Sequence, residues 1–272
     1  MTILEAVTLG VTQGLTEFLP VSSSGHLVLV PQFLGMAQPP LAFDVLLHVA
    51  TLVSVAGYFA RDWYSMILAF VAPRRLPGRS AREWRRLALW ILAGTIPAGL
   101  AGFFLKDFFE SLFSSTLAVG VFLILTACLL TLSDIVVGSG RQRRRAVEDM
   151  GLVDALIVGC YQALAIAPGL SRSGSTIAGA TFLGLGREAA ARFSFLLSVP
   201  IIVGSALLTA GDLSSGIQGG DGLAYAIGAI TAVVSGLAAI HLLLRYVRSH
   251  RLLPFAVYAF LLGVLVVVLS LI

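Results

Sequence analysis

The chain reads as an all-α polytopic membrane protein, with six transmembrane helices and two re-entrant helical hairpins in an inverted-topology repeat. Three observations predict this. The 272 residues are 58% hydrophobic and 12% charged, with a mean hydropathy of +0.96; a soluble domain carries roughly 25% charge. Apolar runs of membrane-crossing length alternate with short loops that sort by charge. Two stretches that begin apolar and break into Pro, Gly and Ser recur half a chain apart.

The first such stretch, 3–35, is read as re-entrant, because a crossing there would spoil the alternation of loop charge. Irregular backbone at membrane depth is tolerated only where protein or water surrounds it. Spans are expected at 41–60, 87–105 and 116–136, each close to the 20 or so residues a bilayer requires. The broken pattern returns at 151–182, and spans at 187–210, 223–245 and 253–272 complete the chain. Loop 61–86 holds seven arginines, 138–150 four and 245–252 three. Loop 106–115 sets Lys106 against Asp107 and Glu110, and 211–222 has two aspartates and no cation. The basic loops therefore face the cytoplasm.

Smaller features agree. Seventeen arginines against one lysine give a net charge of +4, but most lie in loops between apolar spans, so membrane lipids are the expected partners and nucleic acid is not. The amino terminus lacks a basic leader region and a small-residue cleavage site, so no removable signal is read. Cys128 and Cys160 lie in apolar segments without metal-ligand spacing and read as packing residues. Trp63, Trp84 and Trp90, in or beside a basic loop, read as interface anchors.

A shift of 149 aligns Gly10, Gln13, Leu15, Ser22, Ser24 and Gly25 with Gly159, Gln162, Leu164, Ser171, Ser173 and Gly174. A shift of 150 aligns Phe43, Leu46, Leu47 and Val49 with Phe193, Leu196, Leu197 and Val199. The chain is thus read as a single integral membrane domain of two copies, about 1–136 and 151–272. Each copy is a broken segment followed by three crossings, and an odd number inverts the second copy. The two hairpin tips should then meet near the midplane, where inverted repeats place substrate sites.

The polar residues concentrate at those tips. "QGLTEFLPVSSSGH" (13–26) holds Gln13, Glu17, Ser22, Ser23, Ser24 and His26. Gln13 and Glu17 are four apart and share a helix face. A carboxylate at this depth costs a few kcal/mol or more unless paired or wet. His26 can take a proton near neutral pH and is close enough in sequence to activate Ser23. At least one of the serines is expected to cap a helix starting near residue 25. "PGLSRSGST" (168–176) offers Ser171, Ser173, Ser175, Thr176 and Arg172, whose planar guanidinium suits bidentate binding of phosphate oxygens. A cation with many hydroxyls implies an anionic ligand. A diphosphate bridged to Glu17 through Mg²⁺ or Ca²⁺ would satisfy hard, oxygen-seeking cations. Asp44 and His48, four apart at the start of the first span, could border the site or satisfy one another.

The two fragments resemble the signature motifs of the undecaprenyl-diphosphate phosphatase family, the BacA type associated with bacitracin resistance. The likeness extends through "FSFLLSVP" (193–200) over essentially the whole chain. It implies a multi-pass hydrolase of the bacterial inner membrane that acts on a phosphoric anhydride. Such an enzyme removes one phosphate from the C55 isoprenoid diphosphate and recycles the carrier lipid for peptidoglycan synthesis. By motif, Glu17, Ser23, His26 and Arg172 match catalytic positions, and Ser22, Ser24, Ser171, Ser173 and Thr176 match phosphate contacts. A divalent cation, Mg²⁺ or Ca²⁺, would fall to Glu17 and Gln13. The family carries Glu or Gln at the latter place, and Gln here leaves Glu17 as the main protein charge for the ion. The resemblance leaves Ser23 and water open as nucleophiles and allows a homodimer. A transporter or flippase is the rival class, since broken helices in inverted repeats suit alternating access. Acid-phosphatase-like lipid phosphatases share the "SGH" and "SR" fragments, but their further signature His and Asp are absent after Arg172. A non-catalytic scaffold would not need an intramembrane Glu, His and Arg.

Overall fold

The computed structural model describes residues 1–76, 80–138, 145–209 and 222–272; the expected acidic loop 211–222, but for its last residue, and most of the "RQRRR" arginines lie outside them. Twelve α-helices are described: α1 (Ile3–Phe18), α2 (Ser23–Leu34), α3 (Leu41–Tyr58), α4 (Ala60–Val71), α5 (Ala81–Phe104), α6 (Lys106–Phe113), α7 (Thr116–Gly138), α8 (Leu152–Leu164), α9 (Arg172–Phe182), α10 (Arg187–Leu208), α11 (Gly222–Tyr246) and α12 (Leu253–Leu271). Six of them, α3, α5, α7, α10, α11 and α12, are long and apolar enough to cross a bilayer. They coincide with the expected spans except that α5 starts six residues early. There Ser80 and Glu83 form a capping box inside the basic loop, and a run of helix-forming residues follows. That loop also contains α4, an amphipathic helix that the sequence reading missed.

The other six described helices are too short to cross, and four of them, α1, α2, α8 and α9, build the two broken segments. At 1.5 Å per residue, α1 is roughly 24 Å long and α9 roughly 16 Å, against a hydrocarbon core of about 30 Å. α1 and α3 run the same way: Phe43 and Ala6 meet at Gly228, and Ser54 and Phe18 meet at Gly236. The chain through α2 has therefore come back to the end from which α1 set out. α8 likewise runs along α5, with Arg86 and Trp90 donating to the Met150 carbonyl and Gly94 facing Ala155. α10 runs against α3, because Arg192 pairs with Asp62 just beyond α3 and Phe195 touches Phe59.

Close approach of backbones seats both leading helices. A Cβ added to Gly10 of α1 would lie 2.4 Å from the Gly228 carbonyl oxygen in α11. One added to Gly159 of α8 would lie 2.3 Å from the Gly94 carbonyl oxygen in α5. Lipid supplies no hydrophobic drive for helix pairing, so contact through small residues carries it. Each half of the chain thus grips the leading helix of the other. α9 ends up at the centre, with Ser173–Thr181 buried continuously, whereas α12 packs on α7 and buries only the stripe Ala256, Ala259, Gly263 and Val266.

The first turns of α10 clamp three neighbours at the basic end of the molecule: Arg187 with Asp134, Glu188 with Arg248, and Arg192 with Asp62. One aromatic expectation changes here. Trp84 is buried in the main core, because the early start of α5 carries it inward, whereas Trp90 is half-buried and donates to the Met150 carbonyl. Cys128 and Cys160 are exposed on the outside of the bundle rather than packed within it. Arg187 reaches one oxygen of Asp134 with both Nε and Nη2, at 2.8 and 2.6 Å, and the aspartate side chain is only 6% exposed. Arg187→Ala would strand that buried carboxylate, at a cost of about 3–5 kcal/mol. Thermal unfolding in detergent should show the loss, and a paired Asp134→Leu, Arg187→Leu variant should recover most of it.

Candidate active site at the meeting of two hairpins

The chain leaves α1 because Pro20 disfavours helix at the residue before it, and Leu19 is extended (φ −67°, ψ 141°). Ser22 then adopts φ 73°, the one positive φ among the described non-glycine residues, at a cost on the order of 1 kcal/mol. This turn starts α2: the Ser22 hydroxyl accepts from Gly25 N at 3.3 Å, and its carbonyl accepts from His26 N at 3.3 Å. Ser171 caps α9 in the same manner, accepting from Gly174 N at 3.0 Å. Each cap has a second hydroxyl two residues on, Ser24 at 3.3 Å from Ser22 and Ser173 at 3.2 Å from Ser171.

The tips touch. Ser173 Oγ donates to the Leu19 carbonyl at 3.1 Å, and Gly174 lies against Pro20. Thr176 bonds Ser194 of α10 at 2.6 Å and the Arg172 carbonyl at 2.8 Å. Between the tips, Arg172 Nη2 donates to Glu17 Oε1 at 2.5 Å, joining residues 155 apart in sequence. Ser23 Oγ donates to Glu17 Oε2 at 2.6 Å, and Gln13 Nε2 to the same oxygen at 3.1 Å. The second guanidinium nitrogen reaches the Ser194 carbonyl at 3.4 Å. The side chains of Glu17 and Arg172 are 7% and 14% exposed. A buried pair of this kind is weak evidence for stability, because desolvation offsets attraction. It is an effective way to hold a hydroxyl, a carboxylate and a guanidinium together out of water.

The sequence pairing of His26 with Ser23 gives way to Ser23 with Glu17. The Ser22 carbonyl takes His26 Nδ1 at 2.7 Å and the Tyr258 hydroxyl of α12 takes Nε2 at 2.7 Å, so both ring nitrogens are engaged elsewhere. The Ser23 hydroxyl donates its hydrogen bond to the Glu17 carboxylate instead. Ser22, Ser171, Ser173 and Thr176 are committed to caps and to stitching the tips, whereas Ser23 and Ser24 are half-buried and open to a ligand. Asp44 and His48 do not pair through their side chains: His48 Nδ1 bonds the Asp44 carbonyl at 2.8 Å, and Asp44 Oδ1 is buried without a partner. Ser194 and Tyr258 were not singled out. The former sits in the quoted "FSFLLSVP" fragment, while a lone tyrosine in an apolar span carries no signal.

Donors for a hard cation are few. Among the described residues no three His, Cys, Asp or Glu side chains gather as a metal site. Gln13 Oε1, however, is buried without a hydrogen-bond partner beside the Glu17 carboxylate, so one carboxylate and one amide oxygen are on hand.

The fold and this centre define a polytopic α-helical membrane protein whose polar chemistry lies where two broken-helix hairpins abut. The family follows from comparison with known proteins. Residues 6–265 match the model of the bacitracin resistance protein BacA family, and the chain belongs to that family. It is 43% identical to an undecaprenyl-diphosphatase of Syntrophotalea carbinolica over 97% of each chain. It is likewise 43% identical to one of Gemmatimonas aurantiaca over 98% of this chain and 97% of that one. With one of Rubrobacter xylanophilus it shares 44% identity over 99% of this chain and 98% of that one.

Proposed function

We propose that the protein hydrolyses undecaprenyl diphosphate to undecaprenyl phosphate, and that Ser23, Glu17 and Arg172 carry the reaction. The observation that supports this most is the Ser23–Glu17–Arg172 chain, with Ser23 Oγ 2.6 Å from a carboxylate that an arginine of the other half holds at 2.5 Å. That spacing is the hydrogen-bond reach a nucleophile and its base require. An incoming diphosphate offers Arg172 a more highly charged partner than Glu17. Release of the carboxylate leaves it free to take the Ser23 proton as Oγ attacks the terminal phosphorus. The P–O bond to the bridging oxygen breaks, and undecaprenyl phosphate departs with the electron pair. Water then attacks the phosphoserine, the P–Oγ bond breaks as Glu17 returns its proton to Ser23, and inorganic phosphate leaves with the water oxygen while the proton that water loses passes to solvent. Arg172 stabilises the charge spread over the equatorial oxygens at both steps.

The same reading covers the divalent cation. Glu17 and the Gln13 oxygen that lacks a hydrogen-bond partner would hold Mg²⁺ or Ca²⁺. Such an ion would supply charge neutralisation to the diphosphate. In the cell the protein would sit in the bacterial inner membrane, its product would re-enter peptidoglycan synthesis, and its activity would confer bacitracin resistance. A homodimer is compatible with this reading.

Purified protein in detergent, given a C55 diphosphate, should release inorganic phosphate. Ser23→Ala should lower kcat by about 100-fold or more, the scale of losing a nucleophile or its base. Movement of the lipid between leaflets without phosphate release would overturn the proposal in favour of a flippase. Undiminished turnover in Ser23→Ala would transfer the attack to water.

A further inference from the structure

The reaction outlined above leaves His26 and Tyr258 without a task, although they form one of the shortest polar contacts between distant parts of the chain. α12 is apolar but for Tyr258 and Ser270, and Tyr258 is 47% exposed on its flank. The tyrosine hydroxyl lies 2.7 Å from Nε2 of His26, which is 6% exposed, and the two rings are 5.7 Å apart and 13° from parallel. The Ser22 carbonyl can only accept, so His26 Nδ1 carries a hydrogen in either charge state. Neutral His26 must then present Nε2 as an acceptor, and the Tyr258 O–H donates to it. Turning the imidazole toward Ser23 would break both bonds. Beyond this pair the cleft between α2 and α12 is mixed: Leu29 packs with Val266 and Leu262, while Gln32, Thr116 and Ser270 line it beside Leu117 and Leu269.

We propose that Tyr258 is a positioning residue for His26. Its hydroxyl, donating to Nε2, and the Ser22 carbonyl, accepting from Nδ1–H, fix the imidazole away from the Ser23 hydroxyl, so that Nε2 engages a phosphate oxygen of the substrate only as a protonated donor in place of the tyrosine. The proposal rests on the phosphatase reading for its kinetic consequence and on geometry alone for the hydrogen bond.

The test uses the full-length protein in detergent, with C55 diphosphate as substrate and the variants Tyr258→Phe, His26→Ala and the double. Tyr258→Phe keeps the stacked ring and removes only the donor. It should lower kcat about tenfold with KM within about twofold, and the double variant should be no slower than His26→Ala alone, since the two act as one unit. In protein labelled with ¹⁵N-histidine, the Nε2 resonance of His26, assigned by its absence in His26→Ala, should shift in Tyr258→Phe. A kcat within twofold of the parent, losses that multiply in the double variant, or an unmoved resonance would each overturn the proposal. If the parent released no phosphate, the phosphatase reading would fail, and the resonance would still decide whether Tyr258 holds His26.

Discussion

Arg172→Ala should all but abolish phosphate release, with kcat falling by about 1,000-fold, the scale of losing a pre-organised charge from a phosphoryl-transfer site. The variant carries a second cost. Glu17 stays buried with no cation beside it, and breaking a buried pair from one side destabilises by about 3–5 kcal/mol. Arg172→Lys separates the two effects. The ammonium keeps the charge opposite Glu17, so the melting temperature should hold near the parent value. The fork that engages two phosphate oxygens at once is gone, so kcat should still fall by about 100-fold. Phosphate release and thermal unfolding, measured on the same preparations, decide between a catalytic and a purely architectural arginine. Equal activity in all three proteins would make the ion pair architectural.

The second large effect concerns the helix crossings. Gly10→Leu and Gly159→Leu should each deprive the membrane of correctly folded protein, seen as loss of the monodisperse peak in detergent size-exclusion chromatography. The atom that a new Cβ meets at 2.4 or 2.3 Å is a backbone carbonyl oxygen of the facing helix, which no side-chain rotation can remove. Over-packing of this kind costs about 1–3 kcal/mol where neighbours can adjust, and more where they cannot. Gly99→Leu is the control: an added Cβ there meets nothing within 4 Å, so the protein should elute normally.

These two predictions also mark how far the residues alone could lead. The spans were legible because twenty apolar residues between charged loops admit few other structures. Glu17 and Arg172 were legible because a charge in such a chain is expensive wherever it lacks a partner. What sequence spacing could not convey was who would bond to whom. Ser23 and His26 are three apart, and the natural expectation is that they cooperate. The left-handed turn at Ser22 aims a carbonyl at the imidazole, however, and Tyr258 arrives from 232 residues away. Neither event leaves a mark in the local pattern. The serines of both motifs were identified as a group but not divided by role. A cap, a stitch and a nucleophile use the same hydroxyl, and only the acceptor in front of it tells them apart. α4 is hard to read because its twelve residues, with one arginine and one aspartate, open a segment whose other six arginines mark it as a basic loop.

The crossing of Gly10 with Gly228 bears on how the molecule is made. α1 leaves the ribosome before α11, and the surface it needs there is synthesised more than two hundred residues later. Until then α1, too short to cross, has only α2 and α3 of its own half to pack against. Seating of α1 must therefore wait for α11: nascent chains that stop short of it would leave this hairpin without its main support, as ready targets for membrane proteases.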